Sequence, residues 1–185
     1  MCVQPEAIGF RPLAESDMVL MHRWLNNPEV ARWYGLAFEN RTYPTLDEVR
    51  QHYAPNIRGE EPTHCYVIVS ARELVGHIQS YRIGDHPGYA RALDFDENAF
   101  GIDLFIGEDS ARGGGMGCAV LRRFLEDEVF ARVGAETALI APNPENLRAV
   151  RCYEKAGFRH VKTVWVPEEN GHEYVMALHR ERNRA

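Results

Sequence analysis

Apolar and polar positions divide the chain into a succession of short segments. "IGFRPL" (Ile8–Leu13) reads as a strand ended by Pro12. In "ESDMVLMHRWLNNPEV" the helical spacing of Val19, Leu20, Trp24 and Leu25 predicts a helix with Ser16 as N-cap and Pro28 as its stop. "ARWYG" (Ala31–Gly35) reads as an aromatic loop. "TLDEVRQHYAPNI" predicts a second helix, with Thr45 as cap and Asp47 and Glu48 in the first turn, where the helix dipole favours acids.

Strand patterns follow. "CYVIVSA" (Cys65–Ala71) and "LVGHIQSYRI" (Leu74–Ile83) flank an expected hairpin turn at Arg72–Glu73. Gly84–Phe100 reads as a long loop, and "FGIDLFIG" (Phe100–Gly107) as an apolar strand broken by one carboxylate. A glycine run then opens a helix with Val120, Leu121, Phe124, Leu125 and Val129 on one face. "TALIAP" (Thr137–Pro142) predicts a buried strand. In "NPENLRAVRCYEKAGF", Asn143 fits the N-cap, Pro144 the first helical position and Gly157 the left-handed C-cap. Two strands, Phe158–Val166 and His172–His179, end the chain around the turn "PEENG". This alternation predicts an α/β or α+β class, with helices packed on a sheet.

Length and charge narrow the function classes. A chain of 185 residues, 45% hydrophobic and 26% charged, suits one globular domain over residues 1–185. It has no apolar run of about 18 residues, so no membrane span is expected. The first residues, with Glu6, Arg11, Glu15 and Asp17, lack the apolar core of a signal peptide. Cys2, Cys65, Cys118 and Cys152 are far apart and no CxxC occurs. No disulfide framework or zinc site is expected, and a reducing cytoplasm is the expected compartment. The histidines show no metal-ligand spacing, so no metal is expected. The net charge of −6, with basic residues interspersed, argues against nucleic acid. It suits either a cationic substrate or an acidic solvated surface.

The glycine run "RGGGMG" (Arg112–Gly117) carries the first chemical signal. No Lys follows Gly117 as a P-loop requires, and Cys118 and Val120 stand where a dinucleotide fingerprint needs its last glycine. What remains is R-x-x-G-x-G between a strand and a helix. Residues without Cβ admit a phosphate, and a helix N-terminus directs unpaired N–H groups at it. Arg112 could add a charge-assisted bond. A flexible turn that allows tight packing is the structural alternative.

This turn, followed by "NPENLRAVRCYEKAGF", resembles the GNAT N-acetyltransferase superfamily, whose pyrophosphate motif is Q/R-x-x-G-x-G/A. The resemblance implies the acyl-CoA N-acyltransferase fold, a mixed central sheet of about seven strands flanked by about four helices. It also implies acetyl-CoA (coenzyme A) as co-substrate and no metal. Backbone amides of Gly113, Gly115, Gly117 and Cys118 would hold the pyrophosphate, with Arg112, Gly114 and Met116 in the same turn. Leu104, Phe105 and Ile106 would run beside pantetheine, with Asn143 and Asn146 completing that side. "HRWLNNPEVARWYG", "PTLDEVRQHYAP", "VGHIQSY", "GID" and "NLRAVRCYEKAGF" further resemble the aminoglycoside 6'-N-acetyltransferases, over nearly the whole chain. The implied partner is a small cationic amine, an aminoglycoside, with no nucleic acid or membrane and with the enzyme as monomer or homodimer.

Acetyl transfer needs a neutral amine, a polarised thioester carbonyl and a proton for the leaving thiolate. The resemblance assigns Asp103 to the amine, as base or orienting charge. A strand-end aspartate paired with Arg82 or Arg91 is the plainer alternative. Tyr153 is the candidate general acid, its ordinary pKa of about 10 set against about 8.5 for a thiol; the alternative is a core tyrosine. The N–H near Phe105 would polarise the carbonyl. For the acceptor, the acids from Asp85 to Asp103 and the rings of Trp33, Tyr34, Tyr81 and Tyr89 suit a polycationic amino sugar, with Gln79 on the face of Tyr81. A solvated acidic loop and a core Trp33 are the bland readings. Two departures from the family stand out. Ala141 replaces an aspartate before the proline that leads into N-P-x-N, and Gly88–Tyr89 stands where paired tryptophans are expected. Another amine acceptor, such as a hydroxylysine siderophore precursor or polyamine, is the second reading. A non-catalytic CoA-binding module is the third.

Overall fold

A computed structural model describes residues 8–34, 43–167 and 169–180. Cys2, Gly35 of the aromatic segment and Glu168 of the "PEENG" turn lie outside the described residues. The elements are β1 (Ile8–Pro12), α1 (Met18–Leu25), α2 (Pro28–Tyr34), α3 (Leu46–Arg58), β2 (His64–Ser70), β3 (Glu73–Arg82) and α4 (Pro87–Leu93). They continue with β4 (Phe100–Ile106), α5 (Met116–Phe124), which runs on as a π-helix over Leu125–Val133, β5 (Thr137–Ile140), α6 (Leu147–Ala156), β6 (Arg159–Val166) and β7 (Gly171–His179). Among the described residues there are thus seven strands, as expected, and six α-helices rather than about four. The strands hydrogen-bond in the order β1-β2-β3-β4-β5-β7-β6. β4 and β5 pair in parallel, while β1/β2, β5/β7 and β6/β7 are antiparallel, so the sheet is mixed. Among the described residues no helix is long and apolar enough to cross a membrane.

The described residues form two compact units, one within Met1–Gln79 and Leu104–Val120, the other within Ser80–Asp103 and Leu121–Ala185. In the first, Met18, Met21, Trp24, Leu25, Val49, Tyr53, Val67 and Phe105 form the core. The stripe of α1 is therefore rotated from the expected one: Met18 and Met21 face inward, and Val19 is 63% exposed. The cause is the helix start. Asp17 accepts a bidentate pair from Arg11 (2.7 and 3.0 Å) and the N–H of Ala14 (2.8 Å), so Asp17 and not Ser16 organises that turn. Pro28 does not stop a helix; it opens α2, where its missing N–H costs nothing. The carbonyl of Asn27 accepts from Val30 and Ala31, and "ARWY" is helical rather than a loop. Thr45 caps α3 as expected, in a reciprocal box with Glu48. The β2–β3 turn falls at Ala71–Arg72, both at positive φ, so Glu73 already belongs to β3.

In the second unit the expected loop Gly84–Phe100 contains α4. Pro87 occupies its first turn, and Ala90 and Leu93 pack with Ile83, Ala99 and Val175. Seven residues with two buried positions leave too little periodicity to register as a helix. The stripe through Leu121, Phe124, Leu125 and Val129 is buried as expected, although the helix widens to π geometry after Phe124. The later helix starts at Leu147. Asn146 caps it, accepting the N–H of Ala149 at 3.1 Å, while Asn143 caps only a local turn through the N–H of Glu145 at 2.9 Å. Gly157 closes α6 in the left-handed conformation expected of it. β7 then pairs with both neighbours, Ile140 facing Met176 and Val164 facing Glu173.

Candidate active site

The glycine turn of the first unit is a backbone device. Gly113, Gly114 and Gly115 take φ of +92°, +55° and +88° in succession, a path that residues with a Cβ resist. A Cβ at any of the three would meet no atom within 4 Å, so the space above the turn is open. The first helical acceptor of α5 is the carbonyl of Gly115, which takes the N–H of Ala119 at 3.0 Å. The N–H of Met116 turns back to Gly113 (3.0 Å), which leaves those of Gly117 and Cys118 ahead of the helix ladder. Consecutive glycines at positive φ ahead of a helix N-terminus leave N–H groups and space of the kind that suits an anion.

Arg112 does not project into that space. Its Nε donates to the carbonyl of Ile106 (2.9 Å), its Nη2 to that of Gly107 (2.9 Å), and it pairs with Asp109 at 2.7 Å. It thus ties the end of β4 to the turn. Helix α1 holds the same stretch. Trp24 donates its indole N–H to Glu108 (2.7 Å), Arg23 pairs with that carboxylate, and Asn27 donates to Asp109 at 2.9 Å. A Cβ on Gly107 would fall 2.2 Å from the Trp24 ring.

Along β4, Leu104 and Ile106 are partly exposed, while Phe105 is buried against Trp24, Tyr34 and His77. Phe105 can therefore offer a ligand only its backbone. Tyr34, expected at the acceptor, packs in this shell, 4.8 Å from Phe105 between ring centres. Trp33 is exposed, with the Arg32 guanidinium 4.7 Å over its ring. Gln79 is engaged through Oε1 by Cys65 (3.6 Å) and by His77 Nε2 (3.4 Å). His77 is fully buried, and its Nδ1 has no partner among the described residues. Burial, helped by nearby His52, lowers its pKa to about 3.

The second unit gathers a different set. Tyr81 and Tyr89 stand 6.3 Å apart between ring centres, and the Tyr89 hydroxyl donates to Glu173 at 2.7 Å. Burial, then neighbouring negative charge that includes Asp103, pushes both phenols well above their ordinary range. Burial first, and repulsion from Asp103 and Glu169, raises the Glu173 carboxyl to about 8 against the pull of the Tyr89 hydrogen bond. Tyr153 on α6 feels Asp103 as well. Burial, Cys152 and Asp103 together push its phenol up. Asp103 is thus the charge common to Tyr81, Tyr89, Tyr153 and Glu173. Arg82 is occupied elsewhere, donating to Asn98 (2.7 Å) and pairing with Asp85 at 3.6 Å. Asp85 stands at that exposed ion pair.

Of the expected acceptor residues, Tyr81, Tyr89, Asp103 and, with them, Tyr153 come together in one unit. Glu173 is the residue that sequence reasoning missed. The alternation of "HEYVMALH" offered a signal: Glu173 shares its strand face with Val175 and Ala177, an inward position for a carboxylate.

An open glycine turn at a helix head lies in one unit, and a buried carboxylate–phenol cluster in the other. The acetyltransferase (GNAT) domain family matches residues 14–166, and the chain belongs to that family. Among its relatives, aminoglycoside N(6')-acetyltransferase type 1 of Klebsiella pneumoniae is 30% identical over 168 residues, 88% of this chain and 79% of the relative. The fold is similar to AAC(6')-Ib solved with ribostamycin and coenzyme A, at a TM-score of 0.85 and 31% identity over 97% of this chain and 98% of that one. Another AAC(6')-Ib structure, with acetyl-CoA among its ligands, superposes at a TM-score of 0.83, with 31% identity over 97% of this chain and 98% of that one.

Proposed function

We propose that this chain transfers the acetyl group of acetyl-CoA to the 6'-amino group of an aminoglycoside, and so confers resistance by removing a positive charge from the drug. The observation that carries the acceptor half is the Asp103 cluster, a carboxylate held among buried phenols with a second carboxyl beside it. Such a setting favours entry of an ammonium over any neutral or anionic group.

On this reading the two units serve one acetyltransferase domain, working in the cytoplasm. The N–H groups of Gly117 and Cys118, with the concavity of Gly113–Gly115, hold the pyrophosphate. Met116 starts the helix behind it, and Arg112 fixes the turn rather than reaching the phosphate. Leu104 and Ile106 flank pantetheine, and the backbone N–H near Phe105 polarises the thioester carbonyl. Asn146 uses Oδ1 for its cap, so its Nδ2 donates to the pantetheine arm; Asn143 is held in its local turn.

Asp103 draws in the ammonium and takes its proton, directly or through water. The neutral nitrogen attacks the thioester carbon, the C–S bond breaks, and the second proton of the nitrogen passes to the departing thiolate, directly or through water, so that the products are the N-acetyl amide and the coenzyme A thiol. Burial holds the Tyr153 phenol neutral, so Tyr153 meets the departing sulfur as a hydrogen-bond donor. Full transfer of its proton to a thiolate whose acid form lies near about 8.5 runs uphill. The transfer is direct, in a ternary complex.

A thiol-release assay with kanamycin and tobramycin, with mass spectrometry of the product, tests this. The expected result is acetyl-CoA-dependent thiol release and one added acetyl group at the 6'-nitrogen. Turnover on spermidine or hydroxylysine with none on the amino sugars would replace the acceptor. Failure to turn over or bind any amine would remove the enzymatic reading.

A further inference from the structure

Two carboxylates, Glu108 and Asp109, stand on the segment that leads from β4 into the glycine turn. Acids ahead of a turn read as a phosphate cradle oppose an anionic ligand, so their presence calls for another cause. Both are held from the α1–α2 corner. Glu108 accepts the indole N–H of Trp24 at 2.7 Å and pairs with Arg23. Asp109 takes the Asn27 amide at 2.9 Å and Arg112 at 2.7 Å on the same oxygen.

These holds differ in weight. The side chains of Asp109 and Arg23 are 78% and 63% exposed, where ion pairs contribute little. Glu108 is 30% exposed and its donor, Trp24, is buried. A buried indole N–H deprived of its acceptor is costly, so this bond is the firm one. The same ring packs edge-on to Phe105, at 6.2 Å between centres, and covers Gly107, where a Cβ would overlap it. Trp24 thus meets the chain at Phe105, Gly107 and Glu108. The N–H groups of Gly107 and Glu108 both donate to the carbonyl of Val75 on β3 (2.8 and 3.1 Å).

We propose that Glu108 is a positioning residue for the donor: by accepting from Trp24 it fixes how the chain leaves β4, and so where the glycine turn stands relative to the backbone of Leu104–Ile106. The proposal rests on the acetyl-CoA reading above. Coenzyme A carries pantetheine and pyrophosphate on one molecule and has to meet strand and turn together. A segment held in one course lets both contacts form without a further ordering cost. Position and charge predict opposite signs. If Glu108 acted by charge, its removal would strengthen binding of an anionic ligand. If it acts by position, truncation weakens binding, and an uncharged acceptor of the same shape restores it.

Isothermal titration of the full chain with coenzyme A separates the two. Glu108→Ala should raise Kd on the order of 10-fold, and Glu108→Gln, whose amide oxygen still accepts from Trp24, less than about threefold. Trp24→Phe keeps a ring over Gly107 but removes the donor, and should match Glu108→Ala. The double variant should bind no more weakly than either single one, because both break one bond. In steady-state assays KM for acetyl-CoA should rise with Kd, while KM for kanamycin changes less than about twofold. Circular dichroism at the same temperature checks folding, and Trp24→Phe against Glu108→Gln carries the comparison if Glu108→Ala unfolds.

Tighter or unchanged binding of coenzyme A by Glu108→Ala, Glu108→Gln as weak as Glu108→Ala, or additive losses in the double variant would overturn the role of Glu108. A purely stabilising contact would lower Tm and leave Kd in place. Such a failure leaves the acetyltransferase reading intact. The expected Kd pattern in a protein that acetylates no amine would sustain Glu108 and remove the enzymatic reading. No binding of coenzyme A by wild type would remove the donor reading, and the role of Glu108 with it.

Discussion

The glycine turn of the first unit and the acidic cluster of the second are built from opposite materials. The turn is backbone: three residues at positive φ, open space where their side chains would be, and two N–H groups ahead of a helix ladder. The cluster is side chain: Tyr81, Tyr89, Asp103, Tyr153 and Glu173, drawn from five elements and tuned by burial and mutual charge. On the proposed reading the backbone turn meets what every coenzyme A has, and the side-chain cluster, which one residue can change, selects the acceptor.

Crossed substitutions break or sharpen that contrast most strongly. Asp103→Asn should lower kcat for the amine by about 10²–10³-fold, the scale of one positioned acid–base group, with little change in KM for acetyl-CoA. Gly115→Val forces a β-branched residue into φ near +88° and should raise KM for acetyl-CoA by on the order of 10-fold. Because its Cβ meets no protein atom, kcat at saturating acetyl-CoA should hold. Steady-state kinetics varying each substrate decides. If Gly115→Val lowers saturated kcat as far as Asp103→Asn does, the division between donor and acceptor parts fails.

The same contrast explains what could be read from the sequence. The R-x-x-G-x-G turn and the helix ending in Gly157 are contiguous, so glycine spacing reported conformation directly. Asp103 stood out as the one acid in an apolar strand. Glu173 did not, because its burial depends on β7 lying between β5 and β6, an arrangement that local pattern does not specify. Pro28 misled for a related reason. Proline ends one helix and begins another with equal ease, and the Asn26–Asn27 corner decides which. Tyr34 looked like a binding aromatic and lies in a ring shell with Phe105 and His77. Arg112 fitted the phosphate motif but gives its donors to carbonyls of β4 and the adjoining turn.

Titration separates the units further, because their buried groups respond to pH in opposite directions. Glu173 is raised to about 8, above its unfolded value. Its contribution is fully present below about pH 4.5 and is lost as pH rises through about 8. Glu173→Gln should therefore match wild type at pH 5 and be more stable at pH 9, by roughly 2–4 kcal/mol after allowing for partial solvent contact. His77 is lowered to about 3. Its contribution is present above about pH 6.5 and is lost as pH falls toward 3. His77→Phe should gain about 2 kcal/mol on wild type between pH 7 and pH 5. His52, shifted down by burial as well, keeps some acid sensitivity in that variant. Urea unfolding across pH 5–9 reads both. Curves for the two variants that moved in the same direction would contradict the opposite burial effects.

The smallest expected effect concerns α6, where Asn143 and Asn146 compete for the role of cap. The two asparagines make bonds of similar length, 2.9 and 3.1 Å, but only Asn146 bonds to an N–H within the helix. Asn146→Ala should cost about 1 kcal/mol, and Asn143→Ala only a few tenths, since the latter closes a turn ahead of the first helical residue. In a chain of this size 1 kcal/mol lowers Tm by about 2–4 °C, within reach of differential scanning calorimetry. The kinetic readout sharpens the result. If the Asn146 amide also holds pantetheine, Asn146→Ala raises KM for acetyl-CoA, whereas Asn143→Ala leaves it unchanged. A loss of Tm in Asn146→Ala with KM untouched would make Asn146 a cap alone, leaving Gly113–Cys118 and the end of β4 to hold the donor.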